Sequence, residues 1–180
     1  MVNNVEYHNP LGKTDYLSIQ HLERYKFAIS RLKPGQRLLD IACGAGYGSA
    51  LLLKHGCRVI GADYNEQAVV GAQTKYQYGN FVRADVLDIP CKDGSFYAVI
   101  SFETIEHVQN GNNFLSEVYR VLKPGGTFIC STPNLRYTAH PPYHIKEYRP
   151  EEFYGLIEQR FSHVERYGQY FKALDRASDL

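Results

Sequence analysis

The chain has almost no surplus charge of either sign. Its 20 lysines and arginines stand against 19 acids, a net +1 over 180 residues. This removes any long-range pull toward nucleic acid or an anionic membrane. No apolar run approaches the roughly 20 residues that a bilayer span needs. The opening Met1-Val2-Asn3-Asn4-Val5-Glu6 lacks the basic-then-apolar order of a signal peptide. Four cysteines, Cys43, Cys57, Cys91 and Cys130, form no C-x-x-C pair, so neither a zinc knuckle nor a redox motif is written here. Scattered single thiols suit a reducing compartment, and a cytoplasmic location is expected. There is no internal repeat and no low-complexity tract. What is present is a 44% hydrophobic chain of a length that suits one compact domain.

The most telling stretch is Arg37-Leu38-Leu39-Asp40-Ile41-Ala42-Cys43-Gly44-Ala45-Gly46-Tyr47-Gly48-Ser49. An apolar run ends near an acid. A loop with glycine at every second position follows, and then helix-compatible residues. That is the order of strand, tight turn and helix in an α/β unit. Glycines at 44, 46 and 48 strip the turn of side chains, so some group can lie directly against its backbone.

The remaining pattern alternates in the same way. A helix is expected over 15–32, with Leu22, Tyr25, Ile29 and Leu32 on one face and Pro34-Gly35 as its stop. Strands are expected near 37–42, 58–63, 81–85, 97–102 and 127–132. Helices are expected at 47–55 and 65–76, over the apolar positions Phe114 to Leu122 ahead of Pro124-Gly125-Gly126, and at 151–160. The implied fold class is α/β, a doubly wound, mostly parallel sheet. Ligands of such sheets bind outside the carboxyl ends of the strands, where Asp40, Asp63, Asp85 and Glu103 all fall.

A dinucleotide loop reads G-x-G-x-x-G and presents a pyrophosphate to the helix N-terminus. Here the third glycine comes one residue early. Asp40, four residues ahead of Gly44, would repel a pyrophosphate and attract an ammonium. S-adenosylmethionine offers an ammonium, a ribose diol and an adenine, and has no phosphate. Asp40 is expected to face its amino-acid end, Asp63 its ribose hydroxyls and Asp85 its adenine amino group. The same acids can also cap the helices that follow them.

The strings L-D-I-A-C-G-A-G-Y-G-S, V-I-G-A-D-Y, F-V-R-A-D-V-L-D-I-P, A-V-I-S-F-E-T-I-E-H-V and R-V-L-K-P-G-G-T resemble the successive motifs of class I S-adenosylmethionine-dependent methyltransferases. They are most similar to the small-molecule group that includes quinone-biosynthesis and sugar methyltransferases. The resemblance covers about residues 20–135. It implies a Rossmann-like methyltransferase fold and a cofactor set of Asp40, Ala42, Gly44, Gly46, Asp63, Tyr64, Asp85, Val86 and Ser101. It also implies that Arg24 pairs with the cofactor carboxylate, although an exposed helical arginine can equally do nothing. The expected division is one methyltransferase domain over 1–180. Residues 1–14, including Tyr7-His8-Asn9-Pro10, form a lid or tail, 15–135 the cofactor core, and 136–180 the substrate side. Such folds usually close with two further strands. Phe161–Tyr170 supplies one, through Val164, Arg166 and Tyr167. The other is missing, so either a removed C-terminal segment or pairing of the free edge into a homodimer is expected.

Chemistry is expected just after the fourth strand, in Glu103-Thr104-Ile105-Glu106-His107. A helical turn there would put 103, 106 and 107 on one face. His107 is the first choice of base, with Glu103 as its catalytic partner, unless His107 simply packs between strand and helix. E-x-x-E-H also resembles the metal-binding signature of small-RNA 2′-O-methyltransferases and of a quinone O-methyltransferase branch. That resemblance implies Glu103, Glu106, His107 and His144 (or His140) as ligands of Mg²⁺ or Mn²⁺ that would hold a substrate diol. The segment 133–150 reads as a loop over the site. Its Tyr137, Tyr143 and Tyr148 either stack on a sugar or aromatic ring or pack the loop down.

The expected function is methyl transfer to an oxygen or nitrogen of a small metabolite or sugar. Two alternatives accompany it: a metal-assisted O-methyltransferase acting on a vicinal diol, RNA 2′-hydroxyl included, and a non-catalytic cofactor-binding regulatory module. A nicotinamide oxidoreductase is disfavoured by the early third glycine, by Asp40 and by the lack of a second domain. The absence of a basic stripe disfavours RNA.

Overall fold

Apolar residues at helical and strand spacing, punctuated by Asn, Gly and Pro, produce a single layered unit. The computed structural model describes residues 16–135 and 142–169. In chain order it contains α1 (Tyr16–Ser30), β1 (Arg37–Ile41), α2 (Tyr47–Lys54), β2 (Arg58–Asp63), α3 (Glu66–Lys75), β3 (Asn80–Arg83), β4 (Phe96–Phe102), a 3₁₀ turn (Ile105–His107), α4 (Gly111–Val121), β5 (Leu122–Ser131) and α5 (Pro150–Glu158).

The five strands form one parallel sheet in the order β3-β2-β1-β4-β5. β1 is central and buried at every position after Arg37, as a strand covered on both faces must be. Successive residues serve opposite faces. Leu38 joins Tyr25, Ala28, Leu52, Val69, Ala98 and Ile100 under α1, α2 and α3. Leu39 joins Phe96, Val99, Phe114, Leu115 and Val118 under α4 and α5. Chain order reverses beside β1, whose neighbours are β2 on one side and β4 on the other. This switch point opens a groove at the carboxyl ends of the strands. Among the described residues no helix is long and apolar enough to cross a membrane.

Local chemistry fixes the boundaries. The Asn65 side chain accepts from Ala68 N to cap α3, and Asn110 accepts from Asn113 N to cap α4. α4 therefore begins before its first apolar residue. Pro150 opens α5, where the Glu152 carboxylate accepts from Arg149 N at 2.9 Å. Two expectations fail. The Pro124-Gly125-Gly126 run does not separate α4 from β5. Leu122 already pairs with Phe96, and the run forms a register irregularity within β5. The strand expected at 161–170 does not form over the described residues 161–169. The side chains there dock instead. Phe161 stacks on Phe128, and Tyr167 packs on Phe27 while the Arg31 guanidinium lies over both Phe27 and Tyr167. Ring contacts on two faces of the unit, to Phe128 and to Phe27, hold this segment in place of strand pairing.

Candidate active site

The groove is built from the turns that follow β1, β2 and β4. Its first wall is the glycine loop, but the three glycines have different reasons. A Cβ at Gly48 would stand 1.9 Å from the Tyr25 ring. One at Gly46 would stand 2.7 Å from both the Ala72 methyl and the Phe81 ring. These two glycines let protein pack on protein. Gly44 (φ 53°) lines the groove, and its N–H donates to Asp63 Oδ2 at 2.8 Å. Ala42, at φ 60°, lines the groove in a left-handed conformation that L side chains disfavour.

The three acids divide in the same way. Asp40 is buried, and its two oxygens accept from Tyr25 Oη at 3.0 Å and Ser49 Oγ at 2.6 Å. It sits under the loop and does not border the groove. Burial pushes its carboxyl up to about 6, and the two hydroxyl hydrogen bonds oppose that rise. Asp63 does line the groove. Besides Gly44 N it accepts from Asn65 N at 2.9 Å, so one carboxylate ties the glycine loop to the start of α3. Asp85 and Val86 lie exposed or half-buried on the groove, and Asp85 Oδ1 accepts from Leu87 N. Tyr64 is exposed there, under the Arg83 guanidinium. Ser101, like Asp40 and Gly46, falls outside the groove, because its hydroxyl is buried and donates to Thr104 Oγ1 at 2.8 Å.

Beyond β4 the chain turns sharply. Glu103, at φ 52°, is the second non-glycine residue with positive φ. Only a three-residue 3₁₀ turn follows, so Glu103, Glu106 and His107 do not share a helical face as expected. Glu103 Oε1 accepts from Ser131 Oγ at 2.7 Å and lies 3.4 Å from the Arg24 guanidinium. Arg24 also donates to Gln169. Glu106 points inward with no exposed surface. Its Oε2 accepts from Thr132 Oγ1 at 3.0 Å, while Oε1 has no hydrogen-bond partner among the described residues. Burial, and then the charge of Glu103, push its carboxyl up to about 8. His107 points outward and stacks on Tyr143. Its Nδ1 lies 3.1 Å from the Tyr143 carbonyl. A carbonyl only accepts, so Nδ1 carries the proton and Nε2 is left as the acceptor. Burial of the ring holds its pKa below the ordinary histidine value.

Glu106, His107 and His144 bring one donor atom each to within 4.8 Å of one another. The expected quartet is thus a trio, because Glu103 is turned toward Arg24 and Ser131. His140 and Tyr137 lie outside the described residues, as does Tyr7-His8-Asn9-Pro10. Tyr143 is exposed beside His107, whereas Tyr148 is buried and pins the loop through a bridge to Asn134. Sequence reading missed Glu147, whose carboxylate meets His144 Nδ1 at 2.9 Å. The H-x-x-E spacing was its only trace, in a segment without helical context.

Comparison with known proteins agrees with this geometry. The family described as "Methyltransferase domain" matches residues 39–130. A probable S-adenosylmethionine-dependent methyltransferase of Mycolicibacterium smegmatis is 36% identical over 138 residues, covering 73% of this chain and 53% of that protein. A ubiquinone biosynthesis O-methyltransferase of Coxiella burnetii is 29% identical over 137 residues, covering 73% and 58%. Phosphoethanolamine N-methyltransferase 2 of Haemonchus contortus, solved with S-adenosyl-L-methionine, shares the fold. Its TM-score is 0.68 at 22% identity, over 79% of this chain and 36% of that one. The chain spans about half the length of the first of these curated relatives. With its five-stranded parallel sheet, its glycine turn and this sequence match, the chain belongs to the methyltransferase domain family, of the class I S-adenosylmethionine-dependent kind.

Proposed function

We propose that the protein transfers the methyl group of S-adenosylmethionine to an oxygen or nitrogen of a small metabolite or sugar, with His107 as base. One observation carries the reading. The groove bordered by Ala42, Gly44, Asp63 and Asp85 is also lined by His107, an imidazole whose free nitrogen is Nε2. The cofactor supplies an electrophilic methyl on a positively charged sulfur. Gly44, lacking a side chain, lets it approach the backbone. Asp63 and Asp85, both on the groove, would take its ribose hydroxyls and adenine amino group, and Arg24, which also lines the groove, would take its carboxylate. Asp40, Gly46 and Ser101 support this set from beneath. The residues of 15–135 serve the cofactor, and those beyond 136 serve the acceptor. As the acceptor's oxygen or nitrogen bonds to the methyl carbon and the carbon–sulfur bond breaks, its proton passes to His107 Nε2. Glu103 holds Arg24 in place. The lowered pKa of His107 keeps it neutral, and so competent as a base, near neutral pH.

The near-zero net charge supports a small-molecule acceptor over a nucleic acid. Among the described residues β5 hydrogen-bonds to β4 alone. This supports a homodimer through that edge, which sedimentation would report as a doubled mass. Calorimetry tests the cofactor, with micromolar binding of S-adenosylhomocysteine and none of NADH expected. Methyl release from an acceptor panel then separates enzyme from binding module. H107A should lose 10²–10⁴-fold in turnover while still binding S-adenosylhomocysteine. Unchanged turnover would refute the base.

A second reading is supported by the trio of Glu106, His107 and His144. A buried carboxylate oxygen without a partner, beside two imidazoles, fits a divalent cation. Bound there, the ion would acidify an attacking hydroxyl and favour a vicinal diol as acceptor. Turnover that survives exhaustive chelation would remove this reading and leave the first intact.

A further inference from the structure

We propose that Glu147 is a positioning residue. Its carboxylate fixes the His144 ring so that the ring's other nitrogen joins Glu106 and His107 as the third donor to a divalent cation. The inference rests on the second reading above.

His144 and Glu147 form a nearly dry pair, with side chains 9% and 6% exposed and Nδ1 to Oε1 at 2.9 Å. A carboxylate in that position accepts a hydrogen bond from Nδ1–H and so keeps the proton on Nδ1, which leaves Nε2 as the only nitrogen free to donate a lone pair. The ring's neighbours are registered to the 3₁₀ turn by backbone. Ile145 N and Lys146 N both donate to the Glu106 carbonyl, at 2.8 and 3.0 Å. On the other side the Tyr143 carbonyl accepts from His107 Nδ1. The segment bearing His144 is thus pinned on both flanks to the two residues it must meet. Glu147 then sets the one freedom that remains, the rotation and tautomer of the imidazole. Both imidazoles engage Nδ1 with an acceptor, so both present Nε2. Two carboxylates, Glu106 against the donors and Glu147 behind them, balance the charge of a divalent ion where a bare ion would be poorly solvated. Glu103 is not needed in the set.

The alternative is that His144–Glu147 is only a clasp for the 142–148 segment. Metal affinity separates the two, because a clasp has no reason to change it. Mn²⁺ binding is measured by calorimetry, and Co²⁺ binding by visible absorption, on the full chain and on E147Q, E147A, H144A and E103Q. Retained S-adenosylhomocysteine binding by E147Q, E147A and H144A reports that the glycine-loop end of the groove is intact. Expected are a 10–100-fold weaker Mn²⁺ affinity and an altered Co²⁺ spectrum in E147A. E147Q, whose amide oxygen still accepts from Nδ1, should lose less. H144A should lose at least as much as E147A, and E103Q should change little. Affinity in E147A within twofold of the parent, with H144A impaired, would overturn the role of Glu147 while sparing the ligand trio. Equal affinity in H144A and the parent, or no binding by the parent, would overturn the trio and the proposal with it.

Discussion

Tyr25 and Asp40 meet beneath the glycine loop. The phenol donates to Asp40 Oδ1 at 3.0 Å, and its ring fills the space that Gly48 leaves by having no Cβ. Helix α1, strand β1 and helix α2 are locked at this one point. A methyl at 48 would meet a ring held edge-on by Tyr47 and Phe102, with no room to retreat. G48A should therefore lose about 1–3 kcal/mol by overpacking. Y25F should lose a similar ~1–3 kcal/mol, because a buried carboxylate oxygen is left without its donor. Urea denaturation of the two variants gives both numbers.

Asp40 also makes stability depend on pH. Its folded-state carboxyl sits at about 6 against an ordinary 3.8, so between those values the folded state holds the proton more tightly than the unfolded one. The contribution of this group is fully present below the unfolded value. It is lost as pH rises through the folded one. Two pKa units correspond to about 3 kcal/mol. Comparing D40N with the parent by denaturant melts from pH 4 to pH 7 should show the difference moving in favour of D40N by about that amount. Most of the change should fall before pH 6.5. A flat difference would mean that Asp40 ionises as freely in the fold as outside it.

Why some of this was legible in the sequence and some was not follows from the range of each interaction. The sheet was readable because Leu38-Leu39, Val59-Ile60 and Ala98-Val99-Ile100 are apolar on consecutive positions, which only a strand buried on both faces tolerates. The groove-facing residues Gly44, Asp63 and Asp85 were readable because strand ends and tight turns are local events. Asp40, Gly46 and Gly48 looked the same in the sequence. Their partners, however, are Tyr25, Ser49, Ala72 and Phe81, and most of these arrive from other elements. The turn after β4 was misread because E-x-x-E-H suits an α-helix, whereas the chain makes a single 3₁₀ turn after a left-handed Glu103. His144 was found through resemblance. Glu147 was not, since nothing in an irregular segment shows which side chain folds back on which.

Ala42 tests the strain on the groove rim. At φ 60° an alanine sits in the left-handed region at about 1–2 kcal/mol, roughly offset by the extra chain entropy that a glycine would lose. A42G should therefore change stability by less than about 1 kcal/mol. A42V, branched at Cβ where branching is least tolerated, should lose more than about 2 kcal/mol. Thermal melts of the pair, read as a difference, isolate the backbone effect from any change in the surface of the groove.

Truncating Arg120 should also cost stability. From the last turn of α4 its guanidinium donates to the Cys91 and Ile89 carbonyls, at 2.7 and 2.8 Å, and to the carboxylates of Glu117 and Asp93. Glu117 in turn accepts from Ile89 N at 2.9 Å. The pair thus fastens the whole connection between β3 and β4 to the back of α4. These contacts raise the pKa of Arg120 and lower that of Glu117, which fits a pair that stays charged throughout the working range. Asp93 is largely exposed and adds little; the carbonyls and Glu117 carry the effect. R120A should lose about 2 kcal/mol, since it leaves partly buried acceptors without a donor. R120K should recover less than half of that, because one ammonium cannot span a planar fork of contacts. S-adenosylhomocysteine affinity should fall by no more than severalfold in either variant, because Arg120's side-chain partners Ile89, Cys91, Asp93 and Glu117 are not among the residues assigned to the cofactor. A stability loss in R120A below about 0.5 kcal/mol by urea melts would show that the connection is held by Ile89 and Phe96 packing alone.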